Sequence, residues 1–69
     1  MKAKILNDGG FSGISGGPFP IVVEVIDKGD EWVEVLGKHL AEAGVSFCTR
    51  YPLDAYTFLI GTEAELIEE

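Results

Sequence analysis

The chain has 69 residues, with twelve Asp and Glu against five Lys and Arg and a net charge of −7 when its single His is neutral. That length gives one domain with a radius of gyration of about 11 Å. Its core is small and leaves little room for an enclosed cofactor pocket of roughly several hundred Å³. Five scattered cations make no basic stripe, which argues against direct nucleic-acid binding, and the lone Cys48 rules out an internal disulfide or a cysteine-based zinc site.

Residues 2–7 are short and half apolar and read as a strand. They lack the apolar run of a secretion signal, and no stretch is long enough to cross a bilayer, so the expected setting is the cytoplasm, away from membranes. Residues 8–18 hold five of the nine glycines, Gly9, Gly10, Gly13, Gly16 and Gly17, and read as a loop. Residues 19–27 are the clearest strand, with Phe19, Ile21, Val23 and Val25 on one face.

Lys28-Gly29-Asp30 is a turn signal, and residues 31–36 continue as the second arm of a hairpin. The rival is one helix over 30–43, with Trp32, Leu36, Leu40 and Ala43 at helical spacing and Asp30 as N-cap. Gly37 in its middle costs about 1 kcal/mol, which favours strand to Leu36 and then a single helical turn over 38–43. Residues 45–51 alternate, with Val45, Phe47, Thr49 and Tyr51 on one side, and read as a strand. Residues 56–60 form another, and Gly61-Thr62 turns the chain into a last strand over 63–67. Thr62 and Glu65 could instead cap a terminal helical turn.

A three-residue hairpin loop sets Val25 against Val33 and Val23 against Val35, which buries the valines together. The same register puts Glu24 opposite Glu34, an acidic spot that Glu31 extends. Five or six short strands in so short a chain suit a small barrel, with the whole of 1–69 as one mainly β domain. The α+β alternative keeps the helix over 30–43.

Three segments bear on family. The opening KAKILNDGGFSG (2–13), the middle VLGKHLAEAG (35–44) and the ending YTFLIGTEAELIE (56–68) cover about half the chain. Together they resemble small phage and prophage proteins of the SH3-like β-barrel type, a group mostly uncharacterised. The resemblance implies an SH3-like barrel and an accessory or inhibitory role towards a host system. It carries no catalytic residues across.

Catalysis is not expected. Cys48 and His39 are the only nucleophile–base pair on offer and fall on different predicted elements. No calcium-type loop and no metal site is legible. The glycine loop has no lysine after it and opens no helix, so it is not a nucleotide loop of the Walker kind. The acidic residues suggest instead an inhibitory binding protein that occupies a basic surface of a host protein, such as a defence or nucleic-acid enzyme, without any cofactor. Glu24, Glu31, Glu34, Glu63 and Glu65 supply the charge, and Trp32, Phe11 and Tyr56 are the aromatic anchors. Glu68 and Glu69 add to the acidic end. A second reading is a homo-oligomer that sequesters a nucleotide signal with Gly9, Gly10, Gly13, Gly16 and Arg50. It rests on the 46 % hydrophobic content, rich for so small a domain. A third reading is a virion or assembly component.

Overall fold

The computed structural model describes residues 1–67. It consists of two three-stranded antiparallel sheets and one short helix. The first sheet has the order β2-β1-β6, from Ile21–Glu24, Lys2–Ile5 and Ala64–Ile67. The second has the order β3-β4-β5, from Asp27–Lys28, Trp32–Leu36 and Ala55–Leu59. Helix α1, Gly37–Glu42, follows β4 directly. Two 3₁₀ segments, Ser12–Ile14 and Ser46–Arg50, lie in the long connections. The expected mainly β domain is present, and the radius of gyration of 10.5 Å agrees with the length. A closed barrel is not. Among the described residues, β5 pairs with β4 and β6 with β1, and no ladder joins β5 to β6 beyond an isolated bridge between Ile60 and Ala64.

Strand alternation explains the core. Ala3 and Ile5 of β1, Val23 of β2, Val33 and Val35 of β4 and Phe58 of β5 point inward between the sheets, while their neighbours in sequence point out. Ile14, Leu40, Val45 and Cys48 close the ends of this layer from the connections.

The predicted strand over 19–27 is divided between the two sheets. The Val25 N–H donates to the Met1 carbonyl in one direction, and the Ile26 N–H donates to the Glu34 carbonyl in the other, both at 2.9 Å. Asp27 is the ladder partner of the same Glu34, so two residues face one in the manner of a β-bulge. The bulge and a shorter turn together overturn the expected register. Glu24 lies opposite Lys2 instead of Glu34, and the Val23–Val35 and Val25–Val33 pairs do not form. The turn moves too: the Gly29 N–H donates to the Trp32 carbonyl at 3.0 Å, leaving Asp30-Glu31 as a two-residue loop.

The helix forms where strand-then-turn reasoning places it, and β4 excludes one continuous helix over 30–43. Gly37 is buried at the junction, where a Cβ would fall on the carbonyl oxygen of Tyr51. Residues 45–51 are not a strand. Val45 and Cys48 are both buried, three residues apart, and the segment coils between them. The last segment is strand β6, not a capped helical turn, and it pairs with β1. No helix is long and apolar enough to cross a membrane among the described residues.

Candidate functional site

The hairpin β3–β4 gathers acidic side chains around a tryptophan. Trp32, Glu34 and Leu36 alternate outward from β4, with Val33 and Val35 buried between them. Across the ladder to β3, Asp27 stands directly opposite Glu34, and Asp30 and Glu31 form the turn. On the other side, Leu59, Thr57 and Ala55 of β5 lie opposite Trp32, Glu34 and Leu36. The Trp32 indole lies on Gly29, where a Cβ would collide with its Nε1. Glycine there leaves room for the ring, which is half-buried and opposite a Leu59 that is 52 % exposed. Like charges opposite one another destabilise a ladder. The one ion pair among the described residues, from the Met1 ammonium to Glu24 at 3.3 Å, lies on the other sheet.

The remaining predicted acidic residues are placed elsewhere. Glu24 lies opposite Lys2 and Glu65 opposite Lys4, so the outer face of the first sheet interleaves both signs. Glu63 holds the end of β5 in place. Its Oε1 accepts the Leu59 N–H at 2.8 Å, and its own N–H donates to the Leu59 carbonyl at 2.9 Å. Glu68 and Glu69 lie outside the described residues. Of the predicted acidic residues, Glu31 and Glu34 come together beside Trp32, and Asp27 takes the place expected of Glu24.

Two of the three aromatic anchors belong to the interior. Tyr56 is 8 % exposed. Phe11 is half-buried, with its ring meeting Tyr56 edge-on at 5.1 Å and Phe58 at 5.8 Å. Loop residues that are apolar must pack somewhere, and Phe11 packs on the core. The exposed aromatic pair is Phe47 and Tyr51, which alternation groups with the buried Val45, with ring centroids 5.1 Å apart along and just past the second 3₁₀ segment. Their four-residue spacing is the signal that could have found them.

The glycine loop spends its backbone donors internally. The Gly9 N–H donates to Asn7 Oδ1 at 2.8 Å and the Gly10 N–H to Asp8 Oδ1 at 2.9 Å, while the Phe11 N–H donates to the Asp8 carbonyl. Gly9 abuts Phe58 and Glu63, whereas Gly13 and Gly16 line a cleft of about 140 Å³ with Gly44, Val45 and Phe47. That is less than half of the roughly 300 Å³ at which small-molecule sites begin. Arg50 lines an adjoining open depression of about 470 Å³ with Thr49 and Tyr51, and with Ser46 and Phe47, which border both hollows. The five residues of the nucleotide reading are therefore split among three places.

Cys48 is fully buried, and Tyr56, which shares the core with it, is nearly so. Burial pushes the Cys48 thiol up from its ordinary value, which leaves it in the inert protonated form. No group of three or more His, Cys, Asp or Glu is placed to hold a metal among the described residues. No protein-family model, curated protein or solved structure matches the chain.

Proposed function

We propose that the chain is a non-catalytic, phage-type accessory protein that binds a basic surface of a host protein and inhibits it. The binding surface is the outer face of the second sheet. Trp32 and Leu59 supply apolar contact, and Asp27, Asp30, Glu31 and Glu34 surround it with negative charge. The observation that carries this reading is the Asp27–Glu34 pair. A ladder that sets two carboxylates opposite one another gives up stability, and departures from local design rules concentrate at functional sites. The half-buried Trp32 beside it is the residue type that dominates interface energetics.

The same proposal extends to the fold. The segment 21–28 runs through both sheets and turns a corner at its bulge, as strands do in small orthogonal barrels. The order β6-β1-β2 continuing into β3-β4-β5 supports an SH3-like barrel with an open seam between β5 and β6.

The test compares capture from a bacterial lysate by wild type and by the triple variant Asp27→Asn, Glu31→Gln, Glu34→Gln. A target retained by wild type should be lost by the variant, and binding should weaken about tenfold between low and physiological salt. The purified target should lose activity as wild type is titrated in. Equal capture by both proteins would discard the acidic surface as the site.

A further inference from the structure

We propose that the free edge of β5 binds an extended, lysine- or arginine-bearing segment of the partner as an added antiparallel strand. This rests on the reading of the partner as basic and specifies how it is held. The direction of the edge groups follows from the ladder. The Ile60 N–H donates to the Glu31 carbonyl at 2.8 Å and the Gly37 N–H to the Asp54 carbonyl at 2.7 Å. Even-numbered residues from 54 to 60 therefore face β4, and Ala55, Thr57 and Leu59 direct their N–H and C=O groups away from it. Leu59 is already satisfied at both groups by Glu63. Ala55 and Thr57 have no backbone or side-chain partner at theirs among the described residues, and both are exposed.

Edge strands normally carry a device against pairing: a charge, a proline, a bulge or a cover. Strand β3 is two residues long, charged and bulged, β6 carries Glu65, and β2 carries Glu24 and has α1 beside it. The sequence of β5, AYTFL, has no charge, no proline and no glycine. Its single stop is Glu63, which ends the open stretch at Leu59.

Charge selects the occupant. Asp54 precedes the edge, Glu63 ends it, and Glu34 stands beside Thr57 on the neighbouring strand. A second copy approaching along its own β5 would bring the same three carboxylates against these. A basic strand brings the complement, with main-chain bonds giving affinity and alternate side chains meeting the acidic face.

The probe is a short blocked peptide of alternating lysine and valine, with binding read by fluorescence anisotropy at low salt. Thr57→Pro removes the outward N–H and leaves the ladder to β4 intact, which an edge position tolerates. Wild type should bind, with the Ala55 and Thr57 amide resonances shifting, and Thr57→Pro should bind about tenfold more weakly or worse. The same peptide with alternate amides N-methylated gives a test independent of whether the variant folds, and it should bind wild type no better. Undiminished binding by Thr57→Pro and by the methylated peptide overturns strand addition while leaving the acidic surface standing. Undiminished binding by the Asp27, Glu31, Glu34 triple variant, with Thr57→Pro impaired, overturns the acidic surface instead. No peptide binding by wild type, or a wild-type dimer that Thr57→Pro converts to monomer, overturns the basic occupant.

Discussion

Burial holds both members of the Tyr56–Cys48 pair in their neutral forms, pushing the Tyr56 phenol up to about 12 and the Cys48 thiol up from its ordinary value. Desolvation is the larger cause for each. Both folded pKa values lie above the unfolded ones, so the unfolded chain releases protons first as pH rises. The stability from this pair is full below about pH 9 and is lost progressively towards pH 12. The urea midpoint should therefore hold steady to about pH 9 and then fall, and Tyr56→Phe should remove most of the fall above about pH 10. A wild-type midpoint unchanged at about pH 11 would contradict this. Of the adjacent pair Gly9 and Gly10, Gly9 is the more constrained. It combines a φ of +61° with a Cβ position 2.8 Å from the Phe58 ring, whereas Gly10, at +84°, has open space around it. In chemical denaturation Gly10→Ala should cost about 1 kcal/mol and Gly9→Ala about 2–4 kcal/mol.

At the scale of elements, the decisive feature is the bulge at Ile26–Asp27. Strands 2–5, 21–24, 32–36 and 55–59 and the helix after Leu36 are legible in the sequence because one face of each is apolar and the period is clear. The hairpin register is not, because alternation alone assumes an unbroken ladder, and nothing in Val25-Ile26-Asp27 announces that two residues will face one. Residues 45–51 mislead for the opposite reason. Their alternating Val45, Phe47, Thr49 and Tyr51 imitate a strand, while burial follows Val45 and Cys48 at a spacing of three. The candidate site is legible to the same degree: Asp27, Asp30, Glu31 and Glu34 crowd the hairpin around Trp32, but the placing of Asp27 directly opposite Glu34 depends on the bulge. One prediction belongs here. Asp27→Lys turns a repulsive cross-strand pair into an attractive one and should raise stability by about 0.5–1 kcal/mol in thermal or urea unfolding. The same change should weaken capture of the partner. Asp27 Oδ1 also accepts the Lys28 N–H at 2.8 Å, so a variant no more stable than wild type would mean that the relieved repulsion is no larger than the loss of that bond.

Across the whole molecule, the charge of −7 acts on folding and on the proposed binding with opposite signs. Self-repulsion opposes the compact state, while long-range attraction assists encounter with a basic partner. Salt screens both. Raising sodium chloride from about 0.01 M to 0.15 M should raise the melting temperature of the free protein while slowing its association with the partner. A melting temperature that fell with salt over that range would show that attractive pairs such as Lys2–Glu24 and Lys4–Glu65 outweigh the acidic hairpin.

The two amides at Val25 and Ile26 bond in opposite directions, so a single peptide link ties one sheet to the other. Neither sheet can peel away without pulling on a peptide link that the other holds by its own hydrogen bond. In hydrogen exchange, the two amides should therefore stay protected together and be lost together, at the rate of global unfolding. The molecule would then have no half-open state in which β1 and β2 persist without β4, and a protease would find it either whole or fully unwound.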